Sequence, residues 1–208
     1  GLFDLSFLRN IPDLVVAAPR DENELQHLVH TGLRHCSDGR GAFAVRYPRG
    51  AGTGDEMDEE LRCLPIGKGD LLRDGGDLAI VAIGSTVRQA LDAADLLAEQ
   101  GVHCTVVDAR FLKPLDEDLI LSVAQRCGRV MTVEENVLAG GFGSGVLELI
   151  SSRRLGGVQV EVVAIPDEFV EHGQPQILRQ KYGLDAKGLV QRALSAFPRQ
   201  GMAAKVGA

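Results

Sequence analysis

Apolar positions along this chain alternate between two rhythms. Residues 14–18 form a short continuous apolar run closed by Pro19, as a buried strand would. Leu25, Leu28, Val29 and Leu33 then recur at helical spacing. Asp21 stands where the N-cap of that helix belongs, with Glu24 three residues on as its capping-box partner. After a turn at residues 37–41, residues 42–47 read as a second strand. Strand, helix and strand in succession predict a parallel pair, because only a crossover connection lets two consecutive strands run the same way. One such unit cannot cover both faces of its sheet. Further strands are therefore expected N-terminal to Gly1.

Residues 50–76 break the rhythm. Gly52-Thr53-Gly54-Asp55-Glu56 and Gly67-Lys68-Gly69-Asp70 are glycine-rich and acidic, which predicts a connector with one short strand. A second, complete block follows. Residues 77–83 read as a buried strand, Ser85 as a helix cap, and Val87, Ala90, Leu91, Ala94 and Leu97 as the apolar face of a helix ended by Gly101. Strands at 102–109, 129–133 and 158–165 alternate with helices opened by Asp116-Glu117 and by Gly140-Gly141-Phe142-Gly143, and residues 177–182 and 189–197 are terminal helices. This alternation predicts an α/β fold with a doubly wound, mostly parallel sheet. The expected division is residues 1–54, a connector over 55–76, and a second domain over 77–208.

Composition narrows the function. A net charge of −7, no Trp and 4% aromatic residues argue against nucleic-acid binding by charge or by stacking. The same negative charge disfavours an anionic membrane surface, and no apolar run approaches the ~18 residues of a membrane span. Cys36, Cys63, Cys104 and Cys127 are scattered without a CxxC pair, which fits free thiols in a reducing compartment and a cytoplasmic location. A chain that begins at Gly1, with no signal-like segment after it, reads as one that starts inside a longer polypeptide.

Candidate chemistry is sparse. Arg46-Tyr47-Pro48-Arg49-Gly50 closes the second strand and sets Arg49 on a turn fixed by Pro and Gly. In an open parallel α/β sheet the carboxyl ends of strands face the ligand crevice, and a guanidinium grips phosphate with two parallel hydrogen bonds. Gly140-Gly141-Phe142-Gly143-Ser144-Gly145 lacks both the GK[ST] and the GxGxxG patterns, so close packing against bare backbone is the expected use of its glycines. Glu134 and Glu135 are adjacent on a strand and so point to opposite faces, which disfavours a carboxylate dyad and suits a capping or interface charge. Arg110 is placed for an ion pair and Asp116 for a helix start. His27, His30 and His35, followed by Cys36, lack a glutamate that would complete HExxH, so His27 and His30 are expected on a half-exposed helix face. His172 lies in an acidic loop with no nucleophile to pair with it. The residues themselves supply a fold and one anion-binding arginine, and no catalytic or metal set.

Several segments together resemble the 1-deoxy-D-xylulose-5-phosphate synthase family of the transketolase superfamily. They are Gly1-Leu2-Phe3-Asp4-Leu5-Ser6-Phe7-Leu8-Arg9 with Ile11-Pro12, Ala18-Pro19-Arg20-Asp21-Glu22-Asn23-Glu24-Leu25, Arg46-Tyr47-Pro48-Arg49-Gly50, and Leu64-Pro65-Ile66-Gly67-Lys68-Gly69. Asp108-Ala109-Arg110-Phe111-Leu112-Lys113-Pro114-Leu115-Asp116, Thr132-Val133-Glu134-Glu135-Asn136, Gly140-Gly141-Phe142-Gly143-Ser144 and Ile165-Pro166-Asp167 continue the match in order to about residue 197. The resemblance covers only the C-terminal part of such a synthase. It implies the end of a pyrimidine-binding domain followed by a complete transketolase C-terminal-type domain.

It also implies a thiamine-diphosphate and Mg²⁺-dependent enzyme. Such an enzyme decarboxylates pyruvate and joins the two-carbon unit to D-glyceraldehyde 3-phosphate, feeding isoprenoid and thiamine synthesis. By position Arg49 matches the family arginine that binds the substrate phosphate. The diphosphate- and metal-binding segment, the glutamate that activates the aminopyrimidine and a substrate-facing histidine would all precede Gly1. No catalytic, cofactor-binding or metal residue is therefore expected within the chain, which alone should be inactive and needs its own N-terminal portion as partner, in a homodimer. The family often carries Gly-Asn after Pro-Arg where this chain has Gly50-Ala51-Gly52. The alternatives are a portion of another transketolase-like enzyme, such as a 2-oxo acid dehydrogenase β subunit, or a non-catalytic dimerisation module.

Overall fold

The computed structural model describes residues 1–50 and 52–198. Ala51, in the departure from the family pattern, and residues 199–208, the end of the expected second domain, lie outside the described residues. The first block comprises α1 (Asp4–Arg9), β1 (Leu14–Ala17), α2 (Glu22–Ser37) and β2 (Ala42–Val45). The second comprises β3 (Asp70–Arg73), β4 (Leu78–Ala82), α3 (Thr86–Ala98), β5 (Cys104–Asp108), β6 (Phe111–Lys113), α4 (Glu117–Cys127), β7 (Arg129–Val137), α5 (Phe142–Ser152), β8 (Gln159–Ile165), α6 (Pro175–Lys181) and α7 (Ala186–Ala196).

The α/β architecture expected from the alternation is present. In the larger sheet, ordered β3-β5-β4-β7-β8, every pair is parallel except β3 against β5. Central β4 is buried along its whole length, and its alternate residues serve two cores. Leu78, Ile80 and Ala82 meet α3 and α7, while Ala79, Val81 and Ile83 meet α4, α5 and Leu5 of α1. A parallel strand covered on both faces carries an uninterrupted apolar run for this reason.

The smaller sheet has the order β2-β1-β6. β1 and β2 are parallel, from Leu14 opposite Ala42 to Ala17 opposite Val45. On its other side β1 pairs antiparallel with β6, so a strand from the second block completes the first block's sheet. Residues 111–113 were given no element of their own, since three residues between Arg110 and Pro114 are too few to show a period. Phe111 nonetheless sits fully buried with Ala17 and Leu28.

Two caps differ from expectation. Glu24 does not close a capping box onto Asp21: its carboxylate accepts the backbone N–H of Arg20 at 2.9 Å, although Asp21 does accept from the N–H of Glu24. Ser85 precedes α3 without capping it: its own backbone is already helical, φ −58° and ψ −15°, and its hydroxyl donates to Glu135. The connector is also more ordered than its composition suggests. It follows α2 like a strap, Glu22 holding Thr53 to Asp55, Asn23 and His27 holding Asp58, and the Thr31 hydroxyl accepting the N–H of Leu64.

His27 is consequently 2% exposed, correcting the half-exposed face expected for it. The backbone N–H of Arg62 donates to its Nδ1 at 3.1 Å, which leaves Nε2 to carry the proton and donate to Asp58 at 2.8 Å. Among the described residues no helix is long and apolar enough to cross a membrane.

Candidate functional site

A cleft of about 400 Å³ opens at the carboxyl ends of β2, β7 and β8, where Arg46, Arg49, Glu135, His172, Arg179 and Tyr182 converge. Ligand crevices of open α/β sheets form at this edge because the parallel strands end there in connecting loops. β2 delivers the two arginines, β7 delivers Glu135, and the segment between β8 and α6 delivers His172.

The two arginines differ in what they touch. Arg46 is a structural residue: its terminal nitrogen donates to the carbonyls of Gly1 at 3.0 Å and Glu135 at 2.8 Å, and its guanidinium lies 3.5 Å from Asp4 and 3.6 Å from the Glu135 carboxylate. Its backbone N–H donates to Ala17, which extends the β1–β2 ladder. Arg49, three residues on and past Pro48, is exposed and has no hydrogen bond or ion pair with any described residue.

Glu135 organises the opposite wall. One carboxylate oxygen accepts from Arg179 Nε at 3.0 Å, and the other accepts from the Ser85 hydroxyl at 3.1 Å and faces Arg46. Glu171 is taken up by Lys181 and the Tyr182 hydroxyl. Arg46 and Arg179 are matched by Asp4 and Glu135, so among the described residues the cleft side chain that keeps an unmatched positive charge is Arg49. An uncommitted guanidinium in a concave site binds oxyanions, phosphate above all.

Glu134, its neighbour on β7, points the other way and is buried completely. Its oxygens accept the N–H groups of Phe142 at 2.7 Å and Gly143 at 2.8 Å at the start of α5. Burial nevertheless pushes its pKa up to about 7, against the downward pull of the Gly143 and Phe142 N–H groups and of Arg9 and Arg46. A carboxylate thus already fills the anion-binding position at the start of α5, so the glycine-rich loop is no phosphate cradle. Gly143 is there for proximity: a Cβ would stand 2.5 Å from the Val162 side chain and 2.7 Å from the Thr132 hydroxyl.

The remaining candidates are scattered. Arg110 forms a buried ion pair with Glu24 at 2.7 Å, and Asp116 caps α4 by accepting from Leu119. His35 lies edge-on to Phe43, far in role from any ligand set. Among the described residues no group of three or more His, Cys, Asp or Glu side chains could hold a metal ion. Arg179 and Tyr182 were missed as cleft residues. They sit on and just after α6, and only the fold brings that helix back to β2.

The sequence matches two family models, "Transketolase, pyrimidine binding domain" over residues 1–53 and "Transketolase, C-terminal domain" over residues 67–189. It is 51% identical over 195 residues to a protein of Desulforudis audaxviator and 53% identical over 195 residues to one of Heliobacterium modesticaldum, both named 1-deoxy-D-xylulose-5-phosphate synthase. A Geobacter metallireducens protein named 1-deoxy-D-xylulose-5-phosphate synthase 1 is 54% identical over 192 residues. These alignments take in 92–94% of this chain and 29–30% of the relatives, so the chain spans about three tenths of their length. A solved split-gene transketolase, described as an inactive β4 tetramer, aligns with a TM-score of 0.82 at 33% identity over 94% of this chain and 62% of its own. Transketolase of Campylobacter jejuni shares the fold, with a TM-score of 0.63 at 19% identity over 93% of this chain and 28% of its own. The chain belongs to the transketolase family, joining sequence of the pyrimidine-binding domain to the C-terminal domain.

Proposed function

We propose that this chain serves as the C-terminal portion of a thiamine-diphosphate-dependent 1-deoxy-D-xylulose-5-phosphate synthase, which condenses pyruvate with D-glyceraldehyde 3-phosphate and releases CO₂. One observation carries the reading: in a chain about half identical to proteins of that name, Arg49 lines the cleft with no hydrogen bond or ion pair to any described residue. In this role Arg49 binds the phosphate of the aldehyde substrate. Arg46, held by Asp4 and Glu135, braces the strand end that carries it.

Mg²⁺ fits the described residues poorly. The described residues compose no cation site, and the buried carboxylate Glu134 is spent on α5. Thiamine diphosphate and Mg²⁺, which supply the decarboxylation chemistry when bound, belong in this reading to the part of the synthases outside the match. The chain alone is then inactive, and activity needs its N-terminal portion, in a cytoplasmic homodimer.

Reconstitution tests this. The 208-residue chain should show no turnover with pyruvate and D-glyceraldehyde 3-phosphate. Adding the N-terminal portion of a synthase, with thiamine diphosphate and Mg²⁺, should restore it. Turnover by the chain alone, or none after recombination with soluble partner, defeats the proposal. A second reading comes from the split-gene transketolase that aligns over 94% of this chain. In it this polypeptide is one subunit of a two-chain transketolase-type enzyme, and a product profile without 1-deoxy-D-xylulose 5-phosphate would favour it. A 2-oxo acid dehydrogenase β subunit, or a bare dimerisation module, gives Arg49 no anion to bind.

A further inference from the structure

Arg49 must be held in place although its side chain has no hydrogen bond or ion pair with any described residue, and the connector beyond it supplies an anchor. Glu22, at the start of α2, turns its carboxylate onto that connector. One oxygen accepts the backbone N–H of Thr53 at 3.1 Å and the Thr53 hydroxyl at 2.8 Å. The other accepts the N–H groups of Gly54 at 2.5 Å and Asp55 at 3.2 Å. Both oxygens of the carboxylate are thus engaged by donors of residues 53–55, and the Thr53 hydroxyl is shared with the Asp55 carboxylate. Contact is close enough that a Cβ on Gly52 would lie 2.6 Å from Glu22.

The same hydrogen bonds keep Glu22 ionised. Its own backbone N–H, the Thr53 hydroxyl and the Gly54 N–H hold the carboxyl down at about 2. A surface glutamate with no such duty would project into water. Gly52 is three residues from Arg49, so at most about 11 Å of chain separates the two Cα atoms. On the other side of Arg49, the backbone N–H of Arg46 is bonded to Ala17, and Pro48 restricts the turn. The arginine is thus slung between two fixed points, β2 and Glu22.

We infer that Glu22 is a positioning residue for Arg49, holding the far end of the arginine's loop so that the guanidinium stays over the cleft. The inference rests on the proposed binding of a substrate phosphate by Arg49. It sets an order of effects: Glu22 acts on the phosphate only through Arg49, and pyruvate is indifferent to both.

The test is a double-mutant cycle in the intact synthase, with Glu22→Ala, Arg49→Ala and the pair. KM for D-glyceraldehyde 3-phosphate, KM for pyruvate, kcat and Tm are measured for each. Glu22→Ala is expected to raise KM for the aldehyde phosphate about tenfold, the scale on which small misplacements act. KM for pyruvate should hold, and Tm should move little. The pair should be no worse than Arg49→Ala alone, a masking that a merely structural role would not produce. Glu22→Gln, which keeps the side-chain shape but loses acceptor capacity, should fall between wild type and Glu22→Ala. It also stands in if the alanine variant fails to fold. Faster amide exchange over residues 53–55 in the Glu22 variants would report the loosened loop directly.

Multiplying effects in the pair, or no KM effect of either Glu22 variant while Arg49→Ala raises KM, overturns the inference and leaves the phosphate site standing. An unchanged KM in Arg49→Ala overturns the phosphate site, and the inference with it.

Discussion

Arg110→Met isolates the electrostatics that join the two blocks. The Arg110 side chain is 10% exposed and that of Glu24 is 4% exposed, with Nε 2.7 Å from the carboxylate oxygen. Beside them Asp108 is fully buried, accepts the Arg110 backbone N–H, and lies 3.3 Å from Arg20. Burial, and then the charge of Glu24, lift the pKa of Asp108 well above the usual carboxylate range, while Arg110 and Arg20 pull it down. Methionine keeps the apolar stem and the same left-handed backbone angle, φ 56°. What disappears is the charge. Removing one partner of a buried pair costs about 3–5 kcal/mol. Glu24 retains the N–H of Arg20 at 2.9 Å and its guanidinium at 3.8 Å, and Asp108 retains Arg20, so the lower end applies. The expected loss is about 3 kcal/mol near neutral pH.

The loss should also depend on pH in a definite direction. An acid whose folded pKa lies above its unfolded value stabilises the fold while protonated and loses that contribution as pH rises. Without Arg110, Asp108 holds its proton to still higher pH, so the penalty should grow with pH, from about pH 5.5 towards about pH 8. Urea unfolding followed by circular dichroism at both values measures it, with unchanged slope m as the sign that the folded state keeps its compactness. A loss below about 1 kcal/mol at the higher pH, or equal losses at both, would refute the assignment of a buried, cation-dependent carboxylate pair.

Two further outcomes follow from the cleft and its neighbour. In the intact synthase, Arg49→Lys should raise KM for the aldehyde phosphate several-fold with little change in kcat, since an ammonium keeps the charge and loses the planar fork; steady-state kinetics with a KM equal to wild type would contradict phosphate binding by Arg49. Glu134, with a folded pKa of about 7 against an ordinary value of 4.5, should reduce stability by about 3 kcal/mol as pH rises through that interval, because the unfolded chain ionises first. Subtracting the stability of Glu134→Gln from that of wild type across the interval should recover this slope, and a flat difference would show that Glu134 is ionised throughout.

The sequence disclosed those parts of the fold that depend on local repetition. β4 and α3 were legible because continuous burial and a 3.6-residue stripe each leave a pattern over many positions. β6 was not, since its three residues owe their strand to β1, nearly one hundred positions away in the chain. Ser85 and Glu24 were legible as polar residues near helix starts, but local preference could not say that Glu135 and the Arg20 N–H would claim them. His27 read as half-exposed because its cover, Asp58 and Arg62, comes from a stretch with no period of its own. In the cleft, Arg49 was legible through strand, proline and guanidinium chemistry. Arg179 and Tyr182 were not, because their place depends on how α6 folds back.

Because β6 lies in the smaller sheet while its flanking elements belong to the larger one, the two blocks are not separable modules. Either half isolated from the other would lose the β1–β6 pairing, and Phe111 would lose Ala17 and Leu28 as its cover. Recombination between relatives would have to exchange the pair as a single cassette, and a swap of either half alone would need compensating changes along the β1–β6 seam. The boundary that the glycines and acids of residues 50–76 advertise falls between the two family models, yet in space the β1–β6 seam crosses it.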